Sequence, residues 1–325
     1  MTTEITLAIG PHDFLGPLAR GEVSVPGLRV RLDHATPMDA TLDDAARQAS
    51  EASLSRYLMM RARGDTRYSG LPFFILRGFR HRFFFTTPDS ELRSLPDLRG
   101  RLVGITAWFD TGNTWTKAML TDAGVGVGEL DWVLGPLDAA SPLKPRQPDE
   151  PPLPPNVGVL PPGRSLVGEL AAGRIDALVA PRPPDELGRP GGVRRLIEDY
   201  PAAEADYFRR TGVYPACHIV VLDRRLAAGR PGLLLGLHDA LAGSWAAWCA
   251  RAFWYADAAP WVLTALEDGA RLLGPDWQQH GLAAPANRQM LQVLADEQVS
   301  QGHVGSRTDP LAAFEDYTAA LAGRP

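Results

Sequence analysis

Lysine is nearly absent from this sequence. Of 33 basic residues only Lys117 and Lys144 are lysines, and the rest are arginines. Imine chemistry therefore has two candidate amines, and neither has an activating neighbour in sequence. Cysteine is equally scarce: Cys217 and Cys249 stand alone, far from any zinc-type spacing, and read as two buried thiols rather than a disulfide framework. HExxH, CxxC, GxSxG and Walker A patterns are missing, and the seven histidines show no metal spacing. Positive charge is not in excess. The formal net charge is −5, which excludes a dominant basic face for nucleic acid. No apolar run reaches the roughly 18 residues of a membrane span. The most apolar region, 231–263, is interrupted by Asp239, Arg251 and Asp257. At the amino end, Glu4 precedes a short apolar run that Pro11, His12 and Asp13 close, which is not a secretory pattern; the expected compartment is the cytoplasm. Gly124, Gly126 and Gly128 follow a helical segment rather than a strand, so they do not form a dinucleotide fingerprint.

What is present fits about two domains in 325 residues. EITLAI (4–9) predicts a buried strand, and LRVRLD (28–33) alternates as a half-exposed strand does. Thr36 and Pro37 predict a helix start, with Asp39, Asp43 and Asp44 in its first turns. A helix over about 54–63 ends at Gly64. LPFFIL (71–76) and RFFFTT (82–87) read as aromatic strands. A helix opens at Thr111 and runs to about Gly124, and Ser165 caps another that ends at Gly173. IDALVA (175–180) and CHIVVL (217–222) are further strands, and from about 231 onward the pattern is helical. The proline-rich stretch 136–162 reads as a long loop within a domain. Alternating strands and helices up to residue 222 predict an α/β fold with mainly parallel sheets, and the helical tail is expected to pack on the first sheet.

In open α/β sheets ligands bind beyond the carboxyl ends of the strands. The polar residues expected there are His12 and Asp13, Glu51 and Ser53, Arg77, Arg80 and His81, the Thr111–Thr114 helix start, Arg182, Tyr214 and His218. Hydroxyls and free N–H groups at a helix start suit a carboxylate, and arginine binds one with two parallel hydrogen bonds.

Several segments then carry a family resemblance. They are LAIGPHDFLGPLARGEVSVPGLRV, EASLSRYLMMRARGD, FRHRFFFTTPDSELRSLPDLRGRLVGI, GELAAGRIDALVAPRPP and DYFRRTGVYPACHIVVLDRRL. In this order, over about residues 4–225, the chain resembles 4,5-dihydroxyphthalate decarboxylase and its relatives, which have the type 2 periplasmic-binding-protein fold. It differs from the family pattern at His12-Asp13, where Tyr-Asp is expected, and in the aromatic segment AWFDTGNTW (107–115). The resemblance implies two α/β lobes around a cleft, with the helical C-terminal region packed on the first lobe. Lobe 1 would comprise 1–88 and 206–325. Lobe 2, inserted, would comprise 89–205 and contain the proline-rich loop.

The implied activity is decarboxylation of a hydroxylated aromatic acid without an organic cofactor, leaving the question of a metal open. Such chemistry needs an acid/base group with a pKa near working pH, which suits histidine. His81 and His218 are the expected acid/base pair, with Asp13 orienting a histidine. Arg80 and Arg182 would anchor carboxylates, with the Thr111–Thr114 helix start as support, and Arg77 would line the substrate site. His12, Ser53, Trp108, Thr111, Asn113, Thr114 and Tyr214 would complete the substrate site, and no metal ligand is assigned. The expected partners are a small aromatic carboxylate and further copies of the chain, with neither nucleic acid nor membrane. The alternatives are a non-catalytic solute-binding protein of a transporter and another lyase or tailoring enzyme acting on an aromatic or chorismate-derived acid.

Overall fold

The computed structural model describes residues 2–36, 48–142, 146, 150–252, 260–274, 277 and 279–324. The helix expected from Thr36–Pro37, with Asp39, Asp43 and Asp44, and the second lysine, Lys144, therefore lie outside the described residues. The chain divides into two compact units. The first comprises Met1–Arg77, Ala216–Ala295 and Thr308–Pro325; the second comprises Gly78–Pro215 and Asp296–Arg307.

The first unit is built on a five-stranded sheet of order β2-β1-β3-β11-β4. Its strands are β1 (Thr3–Ala8), β2 (Leu28–Asp33), β3 (Ala49–Ser53), β4 (Tyr68–Arg77) and β11 (Ala216–Asp223). β1 pairs in parallel with β2 and β3, while β11 runs antiparallel between β3 and β4. Ile5, Leu7, Leu71, Phe73, Ile75, Val220 and Leu222 form one apolar face of this sheet. The helix Pro231–Ala252 covers that face with Leu233, Leu234, Leu237 and Leu241. β3 was not legible in sequence. ASEAS has low strand propensity, yet all five residues are buried at the centre of the sheet, where pairing on both sides decides the matter.

The second unit holds a six-stranded sheet of order β10-β5-β9-β6-β7-β8. It comprises β5 (Phe84–Thr86), β6 (Leu102–Ile105), β7 (Asp131–Leu134), β8 (Val157–Val159), β9 (Ala177–Val179) and β10 (Arg194–Arg195). The four strands from β9 to β8 are parallel; β5 is antiparallel to β9, and β10 to β5. Because β5 pairs with β9, residues 78–88, expected in the first lobe, belong to this unit, as do 206–215. The tail is not confined to the first unit either: Asp296–Arg307 lies in the second. Both cysteines are buried thiols and form no disulfide. Among the described residues no helix is long and apolar enough to cross a membrane.

Candidate functional site

The chemistry-bearing residues of the first unit gather at one edge of its sheet. Since β1, β3 and β4 point the same way and β11 the opposite way, the carboxyl ends of the first three share an edge with the amino end of β11. His12 follows β1, Ser53 ends β3, Arg77 ends β4 and His218 opens β11. His218 pairs with Ser53 and Val220 with Glu51, so Glu51, Ser53 and His218 share the sheet face whose apolar part is the core.

Glu51 is the centre of this group. Its side chain is 3 % exposed and accepts three hydrogen bonds. Oε2 receives the Gly10 N–H and His12 Nε2, both at 2.9 Å, and Oε1 receives His218 Nδ1 at 2.6 Å. Burial by itself pushes the carboxyl pKa up, but the hydrogen bonds from His12 and His218 outweigh it and hold the group far below the usual carboxylate range. An ionised carboxylate only accepts, so the ring nitrogens facing it carry protons. The other nitrogens, His12 Nδ1 and His218 Nε2, are turned away from the carboxylate. The two histidine side chains are 17 % and 15 % exposed, so solvent reaches what Glu51 does not. Gly10 permits this approach: a Cβ there would stand 3.0 Å from His12 Nε2 and 3.3 Å from Glu51 Oε2. His12 also stacks on the buried ring of Phe14, with centroids 5.4 Å apart.

The remaining expected residues of this unit have other surroundings. Asp13 is exposed at the start of a 3₁₀ turn, and the carboxylate holding the histidines is Glu51 instead. Ser53 caps the helix Leu54–Ala62 by accepting from Arg56 N at 3.5 Å. Arg77 donates to Asn287 Oδ1 at 2.9 Å, and Asn287 in turn braces the backbone at Gln279 and Gly281.

In the second unit the helix Thr111–Asp122 begins where a ligand carboxylate was expected, but the chain supplies its own. Asp110 caps the helix, accepting from Asn113 N at 2.8 Å and from Asn113 Nδ2 at 2.7 Å. Thr114 Oγ1 donates to the Asp110 carbonyl, and Thr111 is buried in the first turn. Arg80 is 7 % exposed, with its guanidinium 4.2 Å from the Phe83 ring centroid. A Cβ on Gly112 would lie 3.3 Å from both Arg80 Cζ and Asp110 Oδ1, so this cation sits beside the capped helix start. Arg182 is exposed and bound to Asp138 at 2.6 Å and Asp185 at 3.3 Å, so its fork already holds two carboxylates. His81 is 5 % exposed with its ring against Tyr207, and burial pushes its pKa down to about 4. It is therefore a neutral interior group at neutral pH. Tyr214 packs on Phe79, and Trp108 is buried edge-on to Trp132.

Lys117, discounted from sequence, is fully buried. Its Nζ donates to the Trp108 carbonyl at 2.8 Å, lies 3.2 Å from His303 Nε2 and sits 3.8 Å above the Trp108 ring. Burial pushes its pKa down to about 7. The partner His303 comes from the tail segment, 186 residues away, where no local pattern points to it. Among the described residues no three His, Cys, Asp or Glu side chains are grouped to hold a metal ion.

This architecture is that of the periplasmic-binding-protein-like folds. The aliphatic sulphonate binding protein SsuA of Escherichia coli superposes with a TM-score of 0.55 at 12 % identity, over 97 % of this chain and 92 % of its own. The desulfurization enzyme DSZB does so with a TM-score of 0.51 at 16 % identity, over 98 % and 99 %. No protein-family model matches the chain. In sequence the chain is similar to two 4,5-dihydroxyphthalate decarboxylases. It is 28 % identical over 298 residues to that of Comamonas testosteroni, spanning 87 % of this chain and 88 % of the relative. It is 29 % identical over 221 residues to that of Pseudomonas putida, spanning 66 % and 84 %.

Proposed function

We propose that this protein is a carboxy-lyase that removes a carboxylate from a hydroxylated aromatic acid resembling 4,5-dihydroxyphthalate, at the His12–Glu51–His218 site. The observation that carries this reading is the buried, ionised Glu51 held between two partly exposed imidazoles. The arrangement fixes each histidine tautomer and leaves one nitrogen of each ring for proton transfer, which is what acid/base chemistry requires.

The reaction balances without an external electron carrier. One imidazole takes the proton of a phenol hydroxyl ortho or para to the carboxylate, and the phenolate oxygen feeds electrons into the ring. The second, protonated, imidazole delivers a proton to the ring carbon that bears the carboxylate. The carbon–carbon bond then breaks, its electron pair restores the aromatic ring and the phenolate, and CO₂ leaves; the phenolate takes its proton back from the first imidazole, and the second is reprotonated from solvent. The net change is one proton consumed and one CO₂ released per substrate. Arg77, at the same sheet edge, is the cation we assign to the retained carboxylate, because guanidinium and carboxylate match in geometry and charge. The reading calls on no organic cofactor.

Purified protein incubated with 4,5-dihydroxyphthalate, and with ortho- and para-hydroxybenzoates, is expected to release CO₂ and one monodecarboxylated product per substrate consumed, followed by chromatography. Tight binding without turnover of any of these acids supports a solute receptor instead, as the E. coli sulphonate binding protein that shares the fold is.

A further inference from the structure

Strand β4 is irregular before it ends at Arg77. In its pairing with β11, Leu71 stands opposite Val220 and Ile75 opposite His218, so β4 carries a bulge over 72–74. Bulges of this kind re-aim the side chains that follow them. The tail of the chain holds this one in place. Gly281 N donates to the Pro72 carbonyl at 2.7 Å, and Phe74 N donates to His280 Nδ1 at 3.1 Å. Asn287 fixes that tail loop through the Gln279 and Gly281 carbonyls, and its Oδ1 accepts from Arg77 at 2.9 Å. The Arg77 guanidinium also lies 5.7 Å from the Phe74 ring centroid. The end of β4 is therefore built to a fixed shape.

Leu76 sits between the bulge and Arg77, with φ +52°. This left-handed region is costly for a bulky apolar residue and cheap for glycine or asparagine. Among the described residues positive φ falls on thirteen glycines and on two others, Leu76 and Trp261. Core packing does not account for a leucine here. Ile75 is fully buried, but Leu76 is 50 % exposed. A strained backbone that holds an apolar side chain out toward solvent points to binding rather than folding. Its neighbours set the class of ligand. Ile75 pairs opposite His218 and Arg77 opposite Ala216, so Leu76 stands between the position facing His218 and the arginine itself. A guanidinium beside an exposed isobutyl group suits a carboxylate carried on a flat apolar ring.

We propose, building on the carboxy-lyase reading of this sheet edge, that Leu76 is a specificity-determining residue: it packs against the ring of the aromatic acid whose retained carboxylate Arg77 holds. The side chain carries no proton and donates no hydrogen bond, so it sets affinity and not the rate of the bond-breaking step. It selects an aromatic acid over an aliphatic one with the same carboxylates. The left-handed backbone adds a signature of its own. A residue suited to that backbone relieves the strain and stabilises the fold, while the ligand loses its apolar contact.

Titration calorimetry of the full chain with 4,5-dihydroxyphthalate, phthalate and maleate tests this. Maleate offers two cis carboxylates, as phthalate does, but no ring. Leu76→Asn is expected to weaken both aromatic acids about tenfold and to leave maleate within about twofold. Its melting temperature should equal or exceed that of the wild type. Leu76→Met, which keeps an apolar side chain, should bind the aromatic acids within about threefold of wild type. In turnover the loss should fall on KM, with kcat within about threefold. Unchanged affinity of Leu76→Asn for the aromatic acids overturns the proposal. So does an equal loss for maleate, because the effect then runs through a displaced Arg77. Leu76→Met binding as poorly as Leu76→Asn, or a lowered melting temperature in Leu76→Asn, overturns it as well. Aromatic acids that bind with this dependence on Leu76 but are not turned over refute the lyase reading alone and uphold Leu76. A wild type that binds none of the three acids refutes both.

Discussion

Replacing Glu51 with Gln tests the candidate site most directly, because it keeps the volume and removes only the charge. The carboxylate accepts from Gly10 N, His12 Nε2 and His218 Nδ1. A glutamine oxygen can replace one carboxylate oxygen, but its amide nitrogen donates and must then face either His218 Nδ1–H or the pair of donors on the other side. One or two charge-assisted hydrogen bonds are lost at about 1.5–3 kcal/mol each, so the expected destabilisation is about 2–4 kcal/mol. For a 325-residue chain, whose unfolding entropy is about 0.7 kcal/mol/K, that corresponds to a fall in melting temperature of about 3–6 °C, read by calorimetry. The loss depends on pH. The folded pKa of Glu51 is depressed, so its stabilisation is fully present above the ordinary value of 4.5 and fades as pH falls below that toward the folded value. The gap between the wild type and Glu51→Gln should therefore be widest at pH 6–8 and narrow below pH 4.5. Activity should fall further than stability, by about 10²-fold or more at saturating 4,5-dihydroxyphthalate, since both imidazoles lose the group that sets their tautomer and orientation. Decarboxylation within about threefold of wild type, with an unshifted pH profile, would falsify the assignment of Glu51 as the residue that positions the acid and the base.

Other substitutions separate chemistry from architecture. His81→Phe is expected to leave kcat/KM within about threefold and the melting temperature equal or higher, because an interior imidazole with an unpartnered Nδ1 carries a cost of about 1–3 kcal/mol; a loss above about 100-fold would restore His81 to the mechanism. Ser53→Ala should cost about 0.5–1 kcal/mol through the lost cap, read in urea unfolding, with KM unchanged, and a raised KM at unchanged stability would mean that Ser53 touches substrate. For Lys117 the folded pKa of about 7 lies below the unfolded 10.5, so between these values the unfolded chain binds the extra proton and stability rises with pH. The melting temperature of the wild type should thus gain on that of Lys117→Met from pH 7 to pH 10, and parallel curves would show that Lys117 does not titrate in this window.

The parts of this molecule that could be read from sequence are those whose cause is local. LRVRLD alternates because one face of an edge strand is wet, and the strand is observed at Leu28–Asp33 as expected. Ser165 accepts from Gly168 N at the start of its helix, because a cap needs nothing beyond four residues. β3 illustrates the opposite case. Alanine and serine do not favour a strand, and ASEAS becomes one only because β1 and β11 supply hydrogen bonds on either side. Glu51, in the middle of that segment, inherits the same problem. The sequence places it among the polar residues at strand ends but offers Asp13, next to a histidine, for the orienting role. The histidines that give Glu51 its role are 39 and 167 residues away. Lys117 repeats the pattern, since its burial depends on a tail segment that packs in the second unit. Residue type narrows the chemistry to histidine and carboxylate. Which carboxylate serves which histidine is decided by strand register, because a one-residue shift between β3 and β11 would turn Glu51 to the other face and leave both imidazoles without their acceptor.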